Sequence, residues 1–347
     1  MKNEKLKILV FNVNWLGDVL FSIIAIKLLK RIYPDAYISC IVPPSCRQII
    51  EGHPAIDEVI TYDDKGKQKS LLAKLKFARL LRIKKFDKVF LFHRSFTRAL
   101  IVFVAGIPER IGYYTRKRFY LLTSAIKAPD ANKIHRADYY MYLVKHYEHY
   151  QKDTVFEIDF FIPKEAKIFV NDMLQKEGIK GDDFIIVLNP GGNWLQKRWP
   201  RENFSVLASV LMRDYDAKIV LSGSQNDRVI GEEIANLSGF NLVNLCGRMD
   251  LKQLAALMQR ANIVISGDSG PLHLALSVGA RAIGIFGPTS VSVTGPYNVK
   301  TPNILQKDLD CVIPCYRQGC SDMRCMKAVT VDDVVEKVRE IITENTR

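Results

Sequence analysis

Residues 263–276 read IVISGDSGPLHLAL and residues 282–289 read AIGIFGPT, and together they decide the fold class. The first apolar run is typical of a buried parallel strand, and the second predicts another strand of the same kind. Between them, residues 271–278 favour a helix, since Pro271 suits its first turn. A strand, a helix and a strand in this order are typical of a parallel sheet covered by helices. The stretch therefore predicts an α/β fold.

The same alternation occurs in two further parts of the chain. Near the N-terminus it gives a strand at 6–13, a helix at 18–32 and a strand at 36–42. In the middle of the chain it gives a strand at 184–188, a helix near 202–213 and a strand at 218–221. We therefore expect two α/β domains with parallel sheets. The connector near 151–163 predicts a division into residues 1–160 and 161–330, followed by a C-terminal helix in 331–347.

The composition is that of a globular protein. The 347 residues are 48% hydrophobic and 25% charged, which argues against a disordered or fibrous chain, and the length favours two domains. The longest apolar run, residues 99–107, is far shorter than the roughly 20 residues of a membrane-spanning helix. The first ten residues lead directly into a strand, with no secretory cleavage site. We therefore expect a cytoplasmic protein.

The positive charge is confined to the first part of the chain. Residues 1–150 contain 27 Lys and Arg against 13 Asp and Glu, whereas residues 151–347 contain 23 against 24. A basic domain suits nucleic acid, an anionic substrate or a membrane surface. Because no nucleic-acid-binding motif is recognisable and the second part is neutral, we expect no nucleic-acid partner.

The densest basic segment is residues 65–85, where nine basic and no acidic residues are interleaved with leucines. This pattern fits a basic amphipathic helix on a membrane surface. An ordinary outer helix of the sheet explains it equally well. The basic and aromatic stretch at 113–120 likewise fits either an acceptor contact or structural packing.

A first polar loop follows the strand at 6–13 and contains Asn14, Trp15, Gly17 and Asp18. In an open α/β sheet such a loop lies at the carboxyl ends of the strands, where ligands bind. The loop lacks the GxGxxG pattern of dinucleotide sites, and a carboxylate there would repel a pyrophosphate. Asp18 is therefore either a helix cap, a role that Asp favours, or a functional carboxylate.

A second loop reads NPGG from residue 189 and KRWP from residue 197. Gly191 and Gly192 let the backbone approach a ligand closely, and Lys197 and Arg198 can supply positive charge to phosphate oxygens. The alternative is a surface loop with two solvated cations.

The third loop lies within the segment quoted first and contains Asp268, Ser269 and Gly270. The backbone N–H groups of Ser269 and Gly270 open a helix, which favours an anion site. Ser269 does not fit the GxSxG pattern of a serine hydrolase. His273 is either a ligand contact or a buried structural histidine. Thr289 follows the next strand, at the same sheet edge.

These motifs, in this order, resemble those of the family 9 glycosyltransferases, the ADP-heptose:lipopolysaccharide heptosyltransferases. The matching pieces are LGD from residue 16, NPGG and KRWP from 189 and 197, GDSGPLHLA from 267 and GIFGPT from 284. The resemblance covers nearly the whole chain, although residues 40–160 match only in general pattern. It implies a GT-B fold, in which two Rossmann-like domains with parallel sheets face each other across a cleft. It also implies an inverting sugar transfer that needs no metal or other cofactor.

The resemblance implies a role for individual residues. The family's Asp matching Asp18 is the proposed general base, and the Lys matching Lys197 contacts the donor diphosphate. The segment matching Asp268, Ser269 and Gly270 holds the sugar and phosphates. The other candidate donor contacts are Gly191, Gly192, Gln225, Asp227, His273 and Thr289, and the acceptor-side candidates are Asn14, Trp15 and Gly17. Family members often carry an acidic ribose contact where this chain has Gln225, with Asp227 two positions on, so either residue can take that role.

The donor implied by the resemblance is ADP-heptose, and the acceptor is the lipopolysaccharide core or another lipid-linked sugar. Such an acceptor carries phosphate and acidic groups at the inner face of the inner membrane, which fits the basic first domain and implies peripheral membrane contact. A related GT-B enzyme with another sugar donor, or a sugar 2-epimerase, stays open as an alternative.

A cysteine cluster precedes the last predicted helix and consists of Cys311, Cys315, Cys320 and Cys325. Four thiols can bind zinc or iron, but the spacings of three, four and four residues differ from the usual Cys-x2-Cys pairs. A packed loop of small buried side chains and a redox pair are the alternatives. None of them gives the cluster a part in the sugar transfer.

Overall fold

The structure is a computed structural model that describes residues 5–299, 302–315 and 319–344. Its contacts divide the chain into two compact units between Phe161 and Ile162. Each unit contains one six-stranded sheet.

The first unit alternates strands and helices. Its strands are β1 (Lys7–Phe11), β2 (Tyr37–Val42), β3 (Glu58–Thr61), β4 (Lys88–Leu91), β5 (Glu109–Tyr113) and β6 (Ser124–Ile126). Its helices are α1 (Leu16–Ile32), α2 (Arg47–Ile50), α3 (Leu71–Lys84), α4 (Phe96–Val104) and α5 (Arg136–Tyr147). All neighbouring strands are parallel, in the order β3-β2-β1-β4-β5-β6.

The second unit repeats this plan. Its strands are β7 (Ile185–Asn189), β8 (Lys218–Leu221), β9 (Val243–Asn244), β10 (Ile263–Gly267), β11 (Ala282–Ile285) and β12 (Asn303–Leu305). Its helices are α6 (Lys164–Lys176), α7 (Arg201–Tyr215), α8 (Arg228–Ser238), α9 (Leu251–Arg260), α10 (Gly270–Ser277), α11 (Val291–Thr294), α12 (Arg324–Lys327) and α13 (Val331–Glu344). The parallel order is β12-β11-β10-β7-β8-β9.

Both sheets have the strand order of a Rossmann fold, and the prediction of an α/β fold with two parallel sheets is confirmed. In each sheet the order reverses direction between two central strands, β1 and β4 in the first unit and β7 and β10 in the second. Ligands of such sheets bind outside the carboxyl ends of the strands at this point. The loops after these four strands are therefore where function is expected.

The central strands β7 and β10 are buried along their whole length, because they are apolar on both faces. In the second unit, Val334, Val338 and Ile341 of α13 belong to the same core as the buried side of α7. Trp199 is 1% exposed, and its indole Nε1 donates to Val329 O at 2.8 Å. This bond ties the segment before α13 to the loop before α7.

Of the basic segment at 65–85, only Leu71–Lys84 is helical. The helix begins at Leu71, because Ser70 Oγ accepts from Ala73 N at 3.2 Å and caps it. The residues before Ser70 form a turn in which Asp63 Oδ1 accepts from Gly66 N at 2.9 Å. Within the described residues, no helix is long and apolar enough to cross a membrane.

Candidate active site

Asp18 lies in the first turn of α1, directly after the loop that leaves β1. Asn12 organises this loop, because its Nδ2 donates to Ser22 Oγ and its Oδ1 accepts from Val13 N, each at 2.8 Å. The structure places four predicted residues together at this end of β1: Asn14, Trp15, Gly17 and Asp18.

The carboxylate of Asp18 has a partner on another helix. Trp15 occupies the N-cap position of α1, so the alternative that Asp18 is merely the helix cap is wrong. Asp18 Oδ1 accepts a hydrogen bond from the Tyr140 hydroxyl of α5 at 2.8 Å. Burial, and then the negative charge of Asp18, raise the pKa of Tyr140 well above its usual value. The phenol therefore stays protonated and acts as a fixed donor to Asp18.

The glycine-rich loop of the second unit follows β7. A Cβ on Gly191 would lie 2.5 Å from Asp227 Cγ, so only glycine allows the loop to pass this close. Arg198 closes the loop, with its Nε donating to Gly192 O at 2.8 Å and its Nη2 lying 3.4 Å from Asp227 Oδ1. Arg198 therefore stabilises the backbone of the glycine-rich loop.

The Lys197 side chain, in contrast, contacts the third loop, which follows β10. Its Nζ donates to Asp268 Oδ2 at 2.7 Å and lies 5.2 Å from the centre of the Trp194 ring. A Cβ on Gly267 would lie 2.8 Å from Lys197 O, so the two loops approach at backbone distance. The loops after the central strands β7 and β10 are thus joined by an ion pair.

Asp268 is 4% exposed, and both of its carboxylate oxygens have partners. Its Oδ2 also accepts from Thr294 Oγ1 at 3.1 Å, and its Oδ1 lies 3.5 Å from His273 Nε2. Burial would raise the pKa of Asp268, but hydrogen bonding from His273 and the charge of Lys197 outweigh it and hold the pKa below its usual range. Asp268 is therefore an anion that fixes the positions of three other side chains.

The helix α10 begins beside this cluster, with Ser269 at its N-cap and Gly270 as its first residue. The first turn of a helix presents N–H groups that have no partner within the helix, and its dipole favours a negative charge. Ser269 Oγ lies 3.2 Å from Ser266 Oγ. Thr289 is 5% exposed, and within the described residues its Oγ1 has no hydrogen-bond partner. The arrangement can receive a phosphate with hydroxyl groups beside it.

The two ribose candidates differ in surroundings. Asp227 is buried, and its Oδ2 accepts from Ser224 N at 2.9 Å and Ser224 Oγ at 2.6 Å in a capping box. Gln225 is exposed at the same turn. Asp227 therefore stabilises the loop, whereas the Gln225 side chain lies over Gly247, where an added Cβ would be 2.2 Å from Gln225 Oε1.

A sequence profile of glycosyltransferase family 9 (heptosyltransferase) matches residues 74–324. The chain belongs to this family.

Other family 9 glycosyltransferases resemble this one along most of their length. Lipopolysaccharide heptosyltransferase 2 of Salmonella typhimurium is 28% identical over 317 residues, covering 85% of this chain and 86% of the relative. A family 9 crystal structure from Veillonella parvula has a TM-score of 0.88 at 23% identity and covers 99% of both chains. Escherichia coli ADP-heptose lipopolysaccharide heptosyltransferase II has a TM-score of 0.81 at 23% identity, covering 99% of this chain and 100% of that one. The GT-B fold predicted for this glycosyltransferase is thereby confirmed.

Three side chains of this family 9 glycosyltransferase that contact the candidate residues were missed in the sequence: Tyr140, Thr294 and Arg98. Tyr140 lies 122 residues from its partner Asp18, and Thr294 lies 26 residues from its partner Asp268. No local sequence pattern predicts contacts over such separations. Arg98 does have a signal, because it follows the polar run HRS after the buried strand β4.

The cysteine cluster of this glycosyltransferase lies beside the loop after β11. Cys315 N donates to Pro288 O at 2.7 Å, and a Cβ on Gly287 would lie 3.1 Å from Cys325 Sγ. All four thiols are free, and Cys311 is exposed. Within the described residues, no group of three or more His, Cys, Asp or Glu side chains is arranged to hold a metal ion.

Proposed function

We propose that this glycosyltransferase transfers heptose from ADP-heptose to the lipopolysaccharide core, with inversion at the anomeric carbon. The observation that carries the proposal is the cluster around Asp268, in which a lysine, a threonine and a histidine surround one carboxylate at the start of α10. The names of the relatives supply the donor and acceptor.

On the acceptor side, Asp18 is the general base. The acceptor hydroxyl oxygen attacks the anomeric carbon, its proton passes to an Asp18 carboxylate oxygen, and ADP leaves from the opposite face. Tyr140 donates to Oδ1 and fixes the carboxylate. Positioned proton transfer of this kind contributes typically 10²–10⁴-fold to a rate.

On the donor side, Lys197 and the start of α10 receive the diphosphate. An ammonium group has three N–H donors, and Asp268 accepts one of them, so that donors remain for phosphate oxygens. The leaving diphosphate gains negative charge in the transition state, and fixed donors of this kind stabilise such charge. Ser269, Gly270 and Thr289 offer a hydroxyl or N–H group to the phosphates or the sugar, and Gln225 offers its amide to the ribose.

The membrane surface is the third part of the proposal. Helix α3 exposes Leu72 and Ile83, each 72% accessible, beside the exposed Lys76 and Arg79. Apolar side chains flanked by cations suit the interface of an anionic membrane. The lipid-linked acceptor would be met at the inner face of the inner membrane.

The test is a donor panel with and without a core acceptor. We expect ADP release and a heptosylated product with ADP-heptose, little turnover with GDP- or UDP-sugars, and an inverted anomeric configuration by NMR. The Asp268→Ala protein, checked for folding by circular dichroism, is the inactive control. Conversion of the sugar in the absence of acceptor would identify an epimerase and overturn the proposal.

A further inference from the structure

A cavity of about 330 Å³ lies in the first unit. It is lined by Tyr62 after β3, Lys65 in the following turn, Lys74 of α3, and Ser95, Thr97 and Arg98 at the start of α4. Its volume is at the lower end of small-ligand sites, which run from about 300 to 1,000 Å³. Three cations around one small cavity favour a negatively charged ligand.

Arg98 is 4% exposed, although it carries a charge. Its Nη1 donates to Asn12 O and its Nη2 to Asn14 Oδ1, and its guanidinium lies 4.9 Å from the centre of the Phe11 ring. Within the described residues no carboxylate lies within ion-pair distance of it. Burial lowers the pKa of Arg98 to about 10. The charge of Asp64 partly offsets this effect of burial, but a buried cation with no direct ion pair is still costly, and an anion in the cavity would reduce that cost.

Tyr62 provides a second, independent sign of a ligand. The side chain is 3% exposed, and within the described residues its buried hydroxyl has no hydrogen-bond partner. The ring is held edge-on against Phe11 at 5.4 Å and tilted against Phe77 at 5.0 Å. Buried hydroxyls normally have partners, because leaving one unpaired costs free energy. The hydroxyl is therefore an unused donor at the wall of the cavity.

The start of α4 adds to the same site. This helix has nine residues, and Ser95 Oγ accepts from Arg98 N at 3.4 Å. The other N–H groups of its first turn and the helix dipole favour an anion. Lys74 is held nearby, since its Nζ donates to Lys69 O at 2.6 Å.

One acidic residue, Asp64, also lines the cavity. It is exposed. A carboxylate there is unfavourable to a bare anion, yet it can accept hydrogen bonds from hydroxyl groups. The combination suits a ligand that carries an anionic group at one end and hydroxyls at the other.

We propose that this cavity binds a phosphorylated or carboxylated sugar, with the anionic group at Arg98, Tyr62 and the two lysines and the sugar hydroxyls at Asp64. The assignment of that sugar to the acceptor rests on the proposed function. The affinity of the cavity for such a sugar does not depend on the proposed function. Arg98 joins the cavity to Asn14, four residues before Asp18. An occupied cavity therefore holds the loop that leads to the candidate base.

The test is calorimetric titration of the full chain with glucose 6-phosphate, glucose and inorganic phosphate, in saturating ADP to fill the donor site. We expect glucose 6-phosphate to bind at least tenfold more tightly than glucose, and more tightly than inorganic phosphate. Tyr62→Phe and Lys65→Gln should each weaken it about fivefold, whereas Tyr37→Phe and Lys164→Gln, at exposed positions outside the cavity, should not. Tyr62→Phe removes only the unpaired oxygen, so its Tm should match or exceed that of the parent.

Three outcomes would overturn the proposal: equal affinities for the sugar and its phosphate, phosphate binding as tightly as the sugar phosphate, or unchanged affinity in both cavity variants. None of these measurements uses sugar transfer. An enzyme that fails to transfer heptose but binds glucose 6-phosphate in this way contradicts only the proposed function.

Discussion

Lys197 Nζ lies 2.7 Å from Asp268 Oδ2, and this ion pair joins the loops that follow the two central strands of the second sheet. Asp268 is almost fully buried, whereas 20% of the Lys197 side chain is accessible. The carboxylate therefore fixes an ammonium group that still reaches solvent at the place where ligands of such sheets bind.

Replacing Lys197 by Met should weaken ADP binding about tenfold or more and lower turnover further. Methionine keeps the length of the stem over Trp194 but loses the charge, and the charge on the diphosphate is greater in the transition state than in the ground state. Calorimetry with ADP and steady-state kinetics measure the two effects. The matched control is Lys167→Met, at an exposed position of α6. An unchanged affinity and rate would place Lys197 outside the site.

Replacing Asp18 by Asn should leave ADP affinity near normal and cut kcat at least about a hundredfold, the usual effect of losing a general base. Tyr140→Phe should have a smaller effect of about three- to tenfold, because it removes only the hydrogen bond that orients the carboxylate. Single-turnover kinetics with circular dichroism as a folding check measure both. Parent-like turnover in folded Asp18→Asn would contradict the assignment of the base.

The sequence predicted the fold well because its signals are local. The apolar strands β7 and β10 and the proline at the start of α10 can be read from neighbouring residues. It also predicted candidate loops after β1, β7 and β10, since parallel strands bring such loops to the carboxyl edge of their own sheet. It did not predict which side chains meet. The contact of Asp18 with Tyr140 requires that α5 packs against α1. The hydrogen bond from Arg198 to Gly192 O requires a particular orientation of that carbonyl group, which no residue pattern encodes.

Removing the exposed cations of α3 should reduce binding to anionic vesicles. The variant is Lys76→Gln with Arg79→Gln, chosen because Lys74 lines the cavity and Lys84 is paired with Glu58. Binding in sedimentation assays should fall steeply with salt, since exposed charges are screened over about 8 Å at physiological ionic strength.

The control for this experiment is Lys164→Gln with Lys167→Gln, which removes the same charge from α6 of the second unit. Leu72→Ser with Ile83→Ser tests the apolar part. If both α3 variants sediment with vesicles as the parent does, α3 is an ordinary solvated face.

Acid should destabilise the protein partly through His93. Burial, and then the charges of Arg98 and Arg118, lower the pKa of His93 to about 4, against roughly 6.5 in the unfolded chain. The unfolded state therefore binds the proton more tightly, and the stability present above pH ~6.5 is lost as the pH falls toward 4. Between pH 7.5 and 5, His93→Asn should lose about 3 °C less of Tm than the parent. His149→Asn, at an exposed histidine, should follow the parent, and identical losses in all three proteins would contradict this account.

Chelation should not change the rate of sugar transfer. The cysteine cluster packs beside the loop after β11, and the expected chemistry uses only side chains and helix N–H groups. Dialysis against EDTA followed by elemental analysis and activity assays is the measurement. About one equivalent of zinc or iron, lost together with thermal stability, would show that the cluster is a metal site. Activity lost on chelation and restored by one specific metal would contradict metal-free catalysis.

The packing of α13 against α7 sets an order for folding during synthesis. The first unit ends at Phe161, so it can fold while the rest of the chain is still being translated. The second unit cannot close its core until Val334, Val338 and Ile341 have left the ribosome, because they cover the apolar side of α7. A ribosome that stalls shortly before residue 331 would leave that surface open to chaperones and to aggregation, although both candidate loops of the donor site had already been synthesised.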